Sequence, residues 1–88
     1  MAFEWDDEKA AENLAKHGIP FEYASRVFDD PYRIEEEAPD FYDEVRYYAI
    51  GMVENLLLFV AYTYRQDNIR LISARKATPR ERRQYHEI

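Results

Sequence analysis

Four side chains of this chain could work on a phosphodiester: His17, Lys16, Arg65 and Arg75. In RNA the 2′-hydroxyl lies beside the scissile phosphate and is itself the nucleophile. A protein that cleaves RNA without a metal must align that hydroxyl, accept its proton, stabilise the phosphorane charge and protonate the leaving 5′-oxygen. The planar fork of arginine binds two phosphate oxygens at once, which suits Arg75 and Arg65 to the charge-stabilising role. His17 or Lys16, at the end of the first helical segment, would move the protons. Arg70, Lys76 and Arg80 offer further contacts to an RNA backbone, and Tyr64 a surface on which bases stack. Each residue also has a plainer reading. His17 continues the apolar face of its helix, as a core or capping histidine does. Arg65 borders a turn, Arg70 fits a cross-strand ion pair, and Arg80 belongs with Arg82 and Arg83 to an exposed helix face.

Charge is segregated along the chain. Residues 1–64 carry a net −10 and residues 65–88 a net +4, within a total of −6. An acidic protein is a poor general binder of nucleic acid. A basic last third allows a narrow anion site. It also allows plain neutralisation of one half by the other, within the fold or across a dimer.

Composition closes several other routes. There is no cysteine, hence no disulfide framework and no thiol chemistry. The two histidines, His17 and His86, stand at opposite ends of the sequence, with no HExxH pattern or paired aspartates. Two glycines cannot build a phosphate-cradling loop. The reading calls for no metal and no cofactor. A start of MAFEWDDEK lacks the basic and apolar regions of a signal peptide, and Leu56–Ala61 is too short an apolar run for a membrane span, so a cytoplasmic setting is expected. At 47% hydrophobic and 16% aromatic, the 88 residues can bury a core without staples.

The elements that must position these residues read as follows. A short strand at Ala2–Trp5 precedes a helix capped by Asp6 or Asp7, with Ala10, Leu14 and His17 on its inner face and Gly18 ending it. Pro20 opens a second helix through Val27 and Phe28, which Asp30-Pro31 stops. Tyr32–Glu36 is an edge strand and Glu37–Glu44 an exposed acidic loop. Glu44–Val53 and Leu56–Arg65 form a hairpin, and Leu56–Ala61, lacking alternation, is buried on both faces. A turn at Gln66-Asp67 leads to Asn68–Ala74, in which Ile69, Leu71 and Ser73 alternate with Arg70, Ile72 and Ala74. Thr78, Pro79 and Glu81 then make a capping box for a basic last helix. Runs of strands flanked by helices predict an α+β fold: a mainly antiparallel sheet of four to five strands, two N-terminal helices and one C-terminal helix.

FEWDDEKAAENLAKHGIPFEYASRVFDDP at Phe3–Pro31 and RLISARKATPRERRQY at Arg70–Tyr85 together resemble the BrnT family of type II toxin–antitoxin toxins. The residues matching its motifs include Trp5, Lys9, Asn13, Lys16, His17, Gly18, Arg70, Ser73, Arg75, Glu81 and Tyr85. Residues 32–68 are much less diagnostic. The resemblance implies a single RelE-like toxin domain over 1–88 and a ribonuclease that arrests translation. It also implies a BrnA-like antitoxin, with a heterotetramer as one form of the complex. That complex would touch DNA only through the antitoxin and repress its own operon. A second reading is a RelE-like module without catalysis, which binds its antitoxin and modulates repression.

Overall fold

The computed structural model describes residues 2–38 and 45–87. In chain order they form β1 (Phe3–Glu4), α1 (Asp7–His17), α2 (Phe21–Ala24), a 3-10 turn (Ser25–Asp29), β2 (Ile34–Ala38), β3 (Arg46–Val53), β4 (Leu56–Arg65), β5 (Asn68–Lys76) and α3 (Pro79–His86). The class is α+β, as expected. The sheet order is β1-β5-β4-β3-β2, which puts the apolar β4 at the centre.

The sheet is mixed. β2 to β5 pair antiparallel, but β1 lies parallel to β5, with Phe3 beside Ile69 and Glu4 beside Arg70. A parallel neighbour is reached here because α1, α2 and three strands intervene between β1 and β5. The second helical segment is not one helix. It gives four α-helical residues and then tightens into the 3-10 turn. β2 reaches Ala38, so Glu37 belongs to a strand, while the rest of the expected acidic loop, residues 39–44, falls outside the described residues. β5 runs on through Arg75 and Lys76 rather than ending at Ala74.

Local chemistry sets the helix ends. The Asp6 carboxylate accepts the Glu8 amide at the start of α1, and Gly18, at φ 72°, closes it with its amide on the Leu14 carbonyl. For α3, the Thr78 hydroxyl accepts the Glu81 amide and the Glu81 carboxylate accepts the Thr78 amide.

One face of the sheet carries the main core. Phe21, Ala24 and Val27 pack on Ala49, Val53, Leu58, Val60, Tyr62, Leu71 and Ala74. Gly51 lets the 3-10 turn lie close, since a Cβ there would meet Val27 Cγ1 at 2.9 Å. The other face is thinner. Ile50 and Phe59 sit under α3, a helix that buries none of its own residues. Polar contacts hold α3 down: the Tyr85 hydroxyl donates to Asp30 at 2.6 Å, and Gln84 donates to Glu36 at 3.3 Å.

The alternation expected along β5 breaks midway. Ala61 pairs with Ser73 and Tyr62 with Leu71, so Ile72 is an extra residue and a bulge. The phase shifts past it. Ala74, not Ser73, joins Ile69 and Leu71 in the core.

Candidate active site

α1 was expected to bury Leu14, but Leu14 is 49% exposed and the buried residue of that helix is Asn13. The face is turned by one position because Asn13 has work to do at the sheet edge. β1 covers β5 only as far as Arg70. Beyond it, the Asn13 side-chain amide takes the place of a strand. Its Nδ2 donates to the Ala74 carbonyl at 2.9 Å, and its Oδ1 accepts the Ala74 amide at 3.0 Å. The same Nδ2 also donates to the Ile19 carbonyl at 3.1 Å. One amide thus ties the end of α1, the turn after Gly18 and β5 together. Burying three backbone polar groups without partners would be costly, so the attachment is specific.

This tie sets the geometry of a groove of about 190 Å³ lined by Lys9, Glu12, Asn13, Lys16, His17, Ile72 and Ser73. Ile72 and Ser73 are consecutive, yet both line it, which the bulge permits and a regular strand does not. Lys9, Lys16 and His17 make no side-chain hydrogen bond or ion pair with the described residues. Lys16 and His17 also lie in the last turn of α1, where cations complement the negative end of the helix. The groove therefore offers two lysines, an imidazole and a hydroxyl to an anion, beside the single carboxylate of Glu12.

The other expected residues lie elsewhere. Arg75 stands two residues beyond Ser73, but its guanidinium turns to the α3 side. It forms a two-pronged pair with Glu81, at 2.8 and 2.9 Å, and lies 4.1 Å over the Phe59 ring. Glu81 raises the pKa of Arg75, and Arg75 in turn, with Thr78, holds the Glu81 carboxyl below its ordinary value despite burial. Lys76 is exposed at the end of β5 opposite Leu58. Arg80 lines a groove with Tyr48, Phe59 and Gln84 under α3.

Arg65 belongs to the opposite end of the sheet. It pairs with Asn68, seven residues before Arg75, or about 23 Å along the strand. Arg70 is engaged by Glu4 at 2.7 Å, and Asn68 donates to the same carboxylate at 3.2 Å. Those bonds hold Glu4 below its usual pKa. Tyr64 is 45% exposed and stacks edge-on against Tyr47 at 5.1 Å. The structure thus unites Lys16 with His17, and separates both from Arg65.

Sequence reading named Asn13 only as a motif residue, without a role in the groove, and did not see Asp30 as the anchor of α3. Asp30 is buried, and burial pushes its carboxyl up. The Tyr85 hydroxyl and the amides of Met52 and Tyr32 outweigh that and leave it below its ordinary value. The signal that could have found Asn13 was its spacing: three residues before Lys16 and four before His17, it shares their side of α1. Among the described residues, no three of His, Cys, Asp and Glu lie together as a metal-binding group.

No curated protein matches the chain. The family model for the ribonuclease toxin BrnT of type II toxin–antitoxin systems matches residues 5–81, which takes in α1, the bulged strand β5 and the start of α3. The chain belongs to the BrnT family of ribonuclease toxins, whose members act in type II toxin–antitoxin systems.

Proposed function

We propose that the chain is a metal-independent endoribonuclease that cleaves RNA in the groove between α1 and β5, and thereby inhibits translation. The observation that carries this reading is the meeting of Lys9, Lys16, His17 and Ser73 around one cavity, where the three basic side chains form no ion pair among the described residues although Glu12 lines the same cavity. An imidazole can exchange a proton near neutrality, and a lysine holds a phosphate as a point charge. In the proposed step the 2′-oxygen bonds to phosphorus and its proton passes to His17. The bond from phosphorus to the 5′-oxygen breaks, and Lys16 protonates that oxygen. The products are a 2′,3′-cyclic phosphate and a 5′-hydroxyl. Lys9 stabilises the charge that gathers on the phosphorane.

Arg75 and Arg80 face the α3 side rather than the groove, so they suit an RNA backbone that runs on past the scissile phosphate. Arg70 and Arg65, at the far end of β5 and β4, suit contacts away from the scissile phosphate. The family's type II systems supply an antitoxin partner; a BrnA-like protein in a heterotetramer, a RelE-like scaffold and a cytoplasmic setting complete the proposal. No helix among the described residues is long and apolar enough to cross a membrane. The second reading, a module that only binds its antitoxin, is favoured by one observation: Glu81 already occupies the guanidinium of Arg75. Cleavage of single-stranded RNA by His17→Ala and Lys16→Ala variants separates the two.

A further inference from the structure

A second groove lies on the core face, at the end of the sheet away from α3. Phe3 pairs with Ile69, and Ile69 pairs with Tyr64, so three apolar side chains form one row across β1, β5 and β4. Phe3 is 38% exposed and Tyr64 45%. They are the outer members of a chain of ring contacts: Phe3 on Phe28 at 5.5 Å, Phe28 on Tyr62 at 4.9 Å, and Tyr62 on Tyr64 at 5.8 Å. With Phe28, Asp29, Arg33 and Glu35 they enclose about 310 Å³, room for one bulky side chain from outside. Aromatic rings backed by other rings are rigid, which lowers the ordering cost of binding.

The rim is acidic. Arg33 is already paired with Glu35, which leaves the exposed Asp29 as the net charge of the groove. Glu37 lies beyond it, opposite Tyr47, whose ring contacts Tyr64. A polyphosphate backbone is repelled by such a rim, whereas an apolar side chain flanked by Lys or Arg is attracted. We propose that this groove is a docking site for the antitoxin, taking a large apolar side chain between Phe3 and Tyr64 with basic neighbours facing Asp29 and Glu37. An anchor in a desolvated aromatic pocket is the kind of contact that dominates protein interfaces. The site is separate from the groove that holds Lys16 and His17, so it does not depend on where RNA is cut.

The test is the affinity of the purified toxin for its cognate antitoxin, measured by calorimetry beside RNA cleavage by the free toxin. Asp29→Lys changes only an exposed side chain and keeps the fold. Phe3→Ser and Tyr64→Ser open the pocket. The expected result is a Kd raised about tenfold or more in each variant, with a steeper loss at low salt for Asp29→Lys, and cleavage unchanged in Asp29→Lys and Phe3→Ser. An unchanged Kd in Asp29→Lys and Tyr64→Ser overturns the proposal. So does a loss of RNA affinity in Phe3→Ser or Tyr64→Ser with antitoxin binding intact, which would make the groove a base-stacking surface.

Discussion

Asn13 forms with Ala74 the pair of hydrogen bonds that a neighbouring strand would form, with one side-chain amide in place of a backbone. Everything proposed for the α1 groove hangs on that tie, because it fixes the end of the helix beside Ile72 and Ser73. Truncating it in Asn13→Ala leaves the Ala74 amide and carbonyl without partners at a buried position. The expected cost is about 3 kcal/mol in urea unfolding. At a temperature where the variant remains folded, cleavage should fall in kcat more than in KM. A stability within about 0.5 kcal/mol of the parent would show that the amide is dispensable.

The Arg75–Glu81 pair joins β5 to α3 and shares its carboxylate with the capping box. Both side chains are partly screened by solvent, so the coupling between Arg75→Ala and Glu81→Ala in a double-mutant cycle should be about 1 kcal/mol. Glu81→Ala should lose more than Arg75→Ala, since it also removes the cap of α3. Additive effects of the two substitutions would mean that the ion pair contributes nothing.

Asp30 receives the hydroxyl of Tyr85 and the amides of Met52 and Tyr32, and its carboxyl is held below its ordinary value. A lowered folded-state pKa contributes stability that is present above the unfolded value and lost as pH falls through the folded one. Thermal stability should therefore fall progressively below about pH 4. In Asp30→Asn, Tm should be lower at neutral pH and its fall below that point shallower. The partner group behaves oppositely. Burial, and then the bond to Asp30, push the Tyr85 phenol up to about 12, so its contribution holds below the ordinary tyrosine range and is lost in strong alkali. An equal acid slope in the parent and Asp30→Asn would remove Asp30 from this account.

Much of the frame was legible in the residues. Gly18 after a helical run, Thr78-Pro79 with Glu81, and the turns at Glu54-Asn55 and Gln66-Asp67 all announce themselves through local chemistry, and the structure has them where expected. Two features were hidden for physical reasons. Hydrophobic periodicity assigned Leu14 inward, because it has no means of seeing that a buried amide can serve as a strand. The bulge at Ile72 carries no glycine to mark it, so the phase change from Leu71 to Ala74 left no trace. The site suffered from a third effect. Arg65 and Arg75 both end strands, but antiparallel pairing puts the end of β4 beside the start of β5 and so sends them apart. Lys16 and His17 stayed together because they are neighbours in one helical turn.

The most direct test is cleavage of a single-stranded RNA by the purified toxin in the presence of a metal chelator, comparing the parent with His17→Ala and Lys16→Ala. The proposal predicts cleavage by the parent with 2′,3′-cyclic phosphate and 5′-hydroxyl ends, and a loss of about 100-fold or more in kcat for His17→Ala, with both variants folded. Undiminished cleavage by both variants would contradict it and move the chemistry away from the groove between α1 and β5.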